Sequence, residues 1–73
     1  MRYTLLIKRY GRHLTFDDID DLTEELCQYF SPKELASGIV DRLTTFRDPT
    51  HTDEENGYVK NDYRDYSVLC YFD

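Results

Sequence analysis

The stretch Leu14-Thr15-Phe16-Asp17-Asp18-Ile19-Asp20-Asp21-Leu22-Thr23-Glu24-Glu25-Leu26-Cys27-Gln28-Tyr29-Phe30 decides how the rest of the chain is read. Phe16, Ile19, Leu22, Leu26, Tyr29 and Phe30 recur at three- and four-residue intervals, the spacing of one apolar helix face. Thr15 stands where an N-cap belongs, Asp18 follows three residues later as in a capping box, and Leu14 and Ile19 take the two positions of a hydrophobic staple. Asp17 and Asp18 would lie at the positive end of the helix dipole. The pattern predicts an amphipathic helix that opens at Thr15 and turns its apolar side to a core.

A second helix opens directly after it. Ser31 caps, Pro32 takes the first helical position, Glu34 completes the box and Phe30 staples to Leu35. Its core face is Leu35, Ile39, Val40, Leu43 and Phe46. Gly38 in mid-helix costs about 1 kcal/mol relative to Ala, and a close crossing of another element there would compensate. Arg47 and Pro49 mark the end.

On either side the period changes from 3.6 to 2. Arg2 to Tyr10 reads as a strand with Tyr3, Leu5 and Ile7 on one face, and Leu6 is the exception on the other. Asp48 to Asn56 reads as a solvent loop, Asn56-Gly57 as a tight turn, Gly57 to Lys60 as a short strand and Asn61-Asp62 as a turn. Tyr66 to Phe72 is the second clear strand, with Tyr66, Val68, Cys70 and Phe72 facing inward. The expectation is an α+β fold in the order β-α-α-β(-β). Two consecutive helices would pack on one face of a small two- or three-stranded antiparallel sheet, with the first and last strands adjacent. Residues 1–73 would form a single compact domain, because a chain this short has room for one core only.

Charge is the most informative surface feature. Residues 1–13 carry +4, residues 14–32 carry −6, residues 33–47 carry +1 and residues 48–73 carry −5, which gives the net −6. Within the first helix Asp17, Asp20, Asp21, Glu24 and Glu25 recur three and four apart with no cation among them. Such spacing weakens a helix by a few tenths of a kcal/mol for each like-charged pair. A polar, solvated face explains the run without any partner, and the basic first strand is expected to neutralise part of it. As a functional feature, the run resembles a sparse phosphate backbone that would meet a basic groove on another macromolecule.

Catalysis finds little support. The chain has no G-x-S-x-G elbow, no phosphate-cradling glycine loop and no dinucleotide fingerprint. Asp48, His51, Asp53, Glu54 and Glu55 are ligand types without the spacing of a calcium loop or a zinc site, so no metal and no cofactor is expected. Cys27 and Cys70 lie in apolar patterns and read as buried, reduced thiols. No apolar run is long enough to span a membrane and no signal-peptide pattern opens the chain, so the expected location is the cytoplasm.

The chain is therefore expected to be a non-enzymatic, acidic, protein-binding regulator or inhibitor. Its candidate partner-binding residues are Asp17, Asp20, Asp21, Glu24 and Glu25, with Asp53, Glu54 and Glu55 as a second patch and Tyr58 and Tyr63 as exposed aromatic contacts. The expected partner is a protein with a basic, nucleic-acid-handling surface; small phage-type inhibitors of host defence or transcription offer an analogy of size and charge. Two alternatives stand beside it. One is an obligate subunit or homo-oligomer. The other is a single-stranded nucleic-acid binder acting through Lys8, Arg9, Tyr10 and Arg12, which the net negative charge opposes.

Overall fold

The computed structural model describes residues 1–72. Strand β1 (Arg2–Ile7) turns through a 3-10 segment at Lys8–Tyr10 into strand β2 (Arg12–Phe16). Gly11 closes the turn with φ 59°, and its amide donates to the Lys8 carbonyl at 3.1 Å. The predicted first strand is thus shorter than Arg2–Tyr10, and the predicted helix start is overturned. Thr15 and Phe16 pair with Thr4 and Tyr3 in an antiparallel ladder. Residues 12–16 also alternate in polarity, and pairing satisfies their backbone against an edge of β1 that local helical spacing ignores. Helix α1 (Ile19–Cys27) begins only after Asp18, whose carboxylate caps it by accepting from the Asp20 amide at 2.8 Å.

The second helix is two helices, α2 (Pro32–Ala36) and α3 (Ile39–Thr44). Ser31 and Glu34 form the expected capping box. Gly38 then adopts φ 82°, and a Cβ there would meet nothing within 4 Å, so its role is the left-handed backbone and not a close crossing. The kink turns Ile39 and Leu43 into the core while Leu35, an expected core residue, stays 36% exposed.

Strands β3 (His51–Asp53), β4 (Tyr58–Tyr63) and β5 (Tyr66–Tyr71) complete one five-stranded antiparallel sheet in the order β2-β1-β5-β4-β3. The first and last strands are adjacent, as expected, but the sheet has five strands and not two or three. The supposed solvent loop contributes β3, because pairing with β4 absorbs a polar sequence that has no apolar face of its own. Asn61 and Asp62 are not a turn but the interior of β4. The turn is Arg64-Asp65, in which Arg64 takes φ 52° without glycine or asparagine to announce it.

Asn61 belongs in the strand because it works from the core side. Buried at 4% exposure, its amide donates to the carbonyls of Leu43 at 3.0 Å and Thr45 at 3.3 Å, satisfying the C-terminal end of α3. The helices cover one face of the sheet. Tyr3, Leu5 and Ile7 of β1 and Tyr66 and Val68 of β5 meet Leu22, Leu26, Phe30, Ile39 and Leu43 there. On the other face Ser67 and Leu69 are also buried, flanked by Leu6 and Asp62 and by Thr4 and Lys60. Leu6, the exception in the alternation of β1, is thereby accounted for. Phe72 lies past the end of β5 and is 50% exposed, not inward. Cys70 is buried, but Cys27 is exposed on the last turn of α1, since Leu22 and Leu26 occupy the inward stripe.

Asn61→Ala leaves two carbonyls at the end of α3 without their donor; a loss of about 2 kcal/mol is expected, roughly 10 °C in Tm for a domain this size, measured by thermal circular dichroism. Glu34 accepts from the Ser31 amide, the Tyr63 hydroxyl at 3.3 Å and the Arg64 guanidinium at 3.2 Å. These donors, the Ser31 amide first, hold its carboxyl below the ordinary 4.5. A lowered carboxyl stabilises above its unfolded value and ceases to do so as pH falls through its folded value. The Tm advantage of the native chain over Glu34→Gln should therefore be full at neutral pH and shrink as pH falls below 4.5.

Candidate docking surface

Asp17 and Asp18 follow directly from β2, at the end of the sheet where Tyr3 faces Phe16 on one side and Cys70 on the other. Glu54 and Glu55 follow directly from β3, at the same end, where Asp53 faces Tyr58 and Tyr58 faces Tyr71. Two edges of a five-stranded sheet lie about 19 Å apart at four strand spacings. The two acidic segments, 30 residues or more apart in sequence, thus flank one end of the molecule. Between them lie Tyr71 and Tyr58, with ring centroids 5.6 Å apart, and the Arg2 guanidinium 5.5 Å over Tyr71.

The acids of α1 stand without cations. Asp17, Asp20, Asp21 and Glu24 are exposed, and no ion pair among the described residues reaches any of them. Asp17 precedes the helix, so the helical run of acids is Asp20, Asp21, Glu24 and Glu25. Glu25 is partly committed, accepting the Tyr29 hydroxyl at 2.5 Å. That bond, more than burial, raises the Tyr29 hydroxyl above its ordinary value.

The expected neutralisation of this helix by the first strand does not occur. Lys8 reaches Asp62 at 3.9 Å and Arg9 reaches Asp65 at 3.1 Å; Lys60 joins Asp62 at 3.8 Å and Arg64 joins Glu34 at 3.2 Å. The reason is register: β1 runs antiparallel to β5, which brings the end of β1 to the β4–β5 turn, and the Lys8 amide donates to the Asp65 carbonyl at 2.8 Å. Lys8, Arg9 and Arg64 therefore meet acids at the end of the sheet that holds the β4–β5 turn, while the exposed acids that follow β2 and β3 lie at the other end, where Arg2 stacks over Tyr71.

The second patch divides in role. The Asp53 carboxylate accepts from the Asn56 amide and side chain, both at 2.9 Å, and the Asn56 side chain is the larger reason its pKa lies below the ordinary value. Asp53 builds the turn, while Glu54 and Glu55 are exposed. Tyr58 is half-buried on the helix-free face near Asp53, and partial desolvation raises its hydroxyl above the ordinary value. Tyr63 lies at the opposite end on the helix face, packed edge-on against Phe30 at 5.9 Å. It is not brought together with the other candidates.

Sequence reasoning missed the edge strand β2 beside α1, whose only signal was the alternation at residues 12–16. A groove of about 700 Å³ runs between α3 and β4, lined by Arg42, Arg47, Asp48, Asn61 and Tyr63 among others. Among the described residues no group of three or more His, Cys, Asp or Glu side chains is arranged to hold a metal ion, and no helix is long and apolar enough to cross a membrane. No family model, curated protein or solved structure matches the chain.

Uncompensated like charges on α1 should cost the isolated protein stability. Glu24→Lys creates opposite-charge pairs with Asp20 and Asp21 and should stabilise the fold by about 0.5 kcal/mol at low salt, fading as salt rises. Urea denaturation at two ionic strengths measures it; an unchanged or lower midpoint at low salt would contradict the repulsion.

Proposed function

We propose that this protein is a small acidic regulator or inhibitor that binds another protein, presenting the α1 acids to a basic surface that otherwise handles nucleic acid. The observation that supports the reading most is the separation of charge. Lys8, Arg9, Lys60 and Arg64 all have acidic partners of their own, whereas among the described residues no ion pair reaches Asp17, Asp20, Asp21 or Glu24. A solvated surface tends to intersperse the two signs. A one-signed surface raises the rate of encounter with an oppositely charged partner and excludes wrong ones. Glu54 and Glu55 extend the acidic area across the end of the sheet, so the surface offered spans two edges rather than one helix.

Glycine-rich phosphate loops and nucleophile motifs are absent from the sequence, and the aromatic side chains Tyr58 and Tyr71 lie within the acidic end. The carboxylates at that end would repel a phosphate backbone, which favours a protein over a nucleic acid as the binding target.

The test is a pull-down with the tagged protein from a lysate at low salt and at about 0.5 M salt, beside the variant Asp20→Lys, Asp21→Lys, Glu24→Lys. A nucleic-acid-processing protein retained at low salt, released at high salt and lost with the folded triple variant supports the reading. Retention of the same protein by the triple variant would remove α1 from the interface.

A further inference from the structure

The two edges of the sheet are finished differently. Strand β3 has three residues, is preceded by Pro49 and runs into Glu54 and Glu55, features that discourage a further strand. Strand β2 has five residues, contains no proline, and keeps Arg12, His13 and Thr15 exposed. Its register with β1 is unbroken from Arg12 to Phe16, so no bulge disrupts the strand. Beyond the ladder to β1, no hydrogen bond among the described residues engages the backbone of residues 12–16. Its outward amides and carbonyls are an open template for strand pairing.

The charge along this edge selects what pairs with it. Asp17 and Asp18 continue β2 at one end. Asp21 and Glu25 share a face of α1, being four residues apart, and α1 lies against β1 and β2. Glu25 accepts the Tyr29 hydroxyl, and the Tyr29 ring packs 5.8 Å from Tyr66, which lies at the same level of the ladder as Ile7 and Arg12. Arg12 is the one cation within the strand, at its far end, with His13 beside it. A second copy of the chain would bring another Asp17, Asp18, Asp21 and Glu25 to the same seam against only one more arginine, which repels. A basic strand is attracted along the same line.

We propose that β2 is a docking edge for an extended, lysine- or arginine-bearing segment of the protein partner, which adds as a sixth strand beside Arg12–Phe16. The proposal rests on the reading of the acidic surface as a partner-binding surface and supplies its mode of contact. Main-chain hydrogen bonds to β2 give the affinity, and the flanking carboxylates select basic side chains on the helix-side face of the added strand.

The test uses the full chain and two probes, the heptapeptide Lys-Val-Lys-Val-Lys-Val-Lys and the same peptide N-methylated at every backbone amide, which keeps the charge and loses the donors. Titrations are followed by amide resonances and hydrogen exchange. The expected result is that the first peptide slows exchange in residues 12–16, and that N-methylation weakens binding by at least about tenfold. Asp21→Lys, whose side chain is exposed and makes no structural bond, should also weaken the first peptide several-fold. Equal binding of both peptides overturns strand addition while leaving the acidic reading intact. Binding of neither, or protection of residues 12–16 that rises with protein concentration alone together with a doubled mass, also overturns it. The acidic reading is judged separately, by the charge-reversal pull-down.

Discussion

The antiparallel pairing of β1 with β5 is the contact on which the rest of the molecule depends. It joins residues 2–7 to residues 66–71, so the two ends of the chain form the centre of the sheet. Without it there would be an N-terminal hairpin and a C-terminal three-stranded meander, each too small to be stable alone. With it, Leu5 and Val68 lie opposite each other at 0% exposure and give α1 and α3 one surface on which to bury Leu22, Leu26, Ile39 and Leu43. Closing so long a loop is costly in chain entropy, and the apolar area buried over the joined strands offsets that cost.

The same pairing sorts the charges. Because β1 runs toward the β4–β5 turn, Lys8 and Arg9 are delivered to Asp62 and Asp65, and among the described residues no cation forms an ion pair with a carboxylate of α1. Asp62 also accepts the Ser67 hydroxyl and faces Lys60, which makes it the polar centre of the helix-free face. The protein keeps a helix whose carboxylates repel one another, the kind of local conflict expected where a surface is kept for binding.

Next to that helix lies β2, a five-residue strand with one side unpaired. The acidic rim and the open edge are two aspects of one corner of the molecule. The net negative charge of the rim disfavours edge-to-edge pairing of like copies. The opposite corner, with its three-residue β3 and its Asp53–Asn56 turn, is closed by comparison.

Features with a local cause were legible along the chain. The Ser31–Glu34 capping box, the alternation of β1 and β5, the inward stripe of Leu22 and Leu26 and the adjacency of first and last strands were all legible, as was the acidic run on α1. Tertiary structure decided where local signals were ambiguous or silent. Residues 14–16 fit a helix by spacing and a strand by alternation, and only the unsatisfied edge of β1 chose between them. Asn61 looked like a turn residue because asparagine favours turns, but its amide was needed by the carbonyls ending α3. Arg64 carries the left-handed turn with no residue type to signal it. The helix break at Gly38 serves the direction of α3 toward the core, which no local spacing encodes. The pairing of Lys8 and Arg9, and hence which carboxylates stand without an ion pair among the described residues, depended on strand register across the whole chain, a non-local quantity that charge runs along a sequence do not contain.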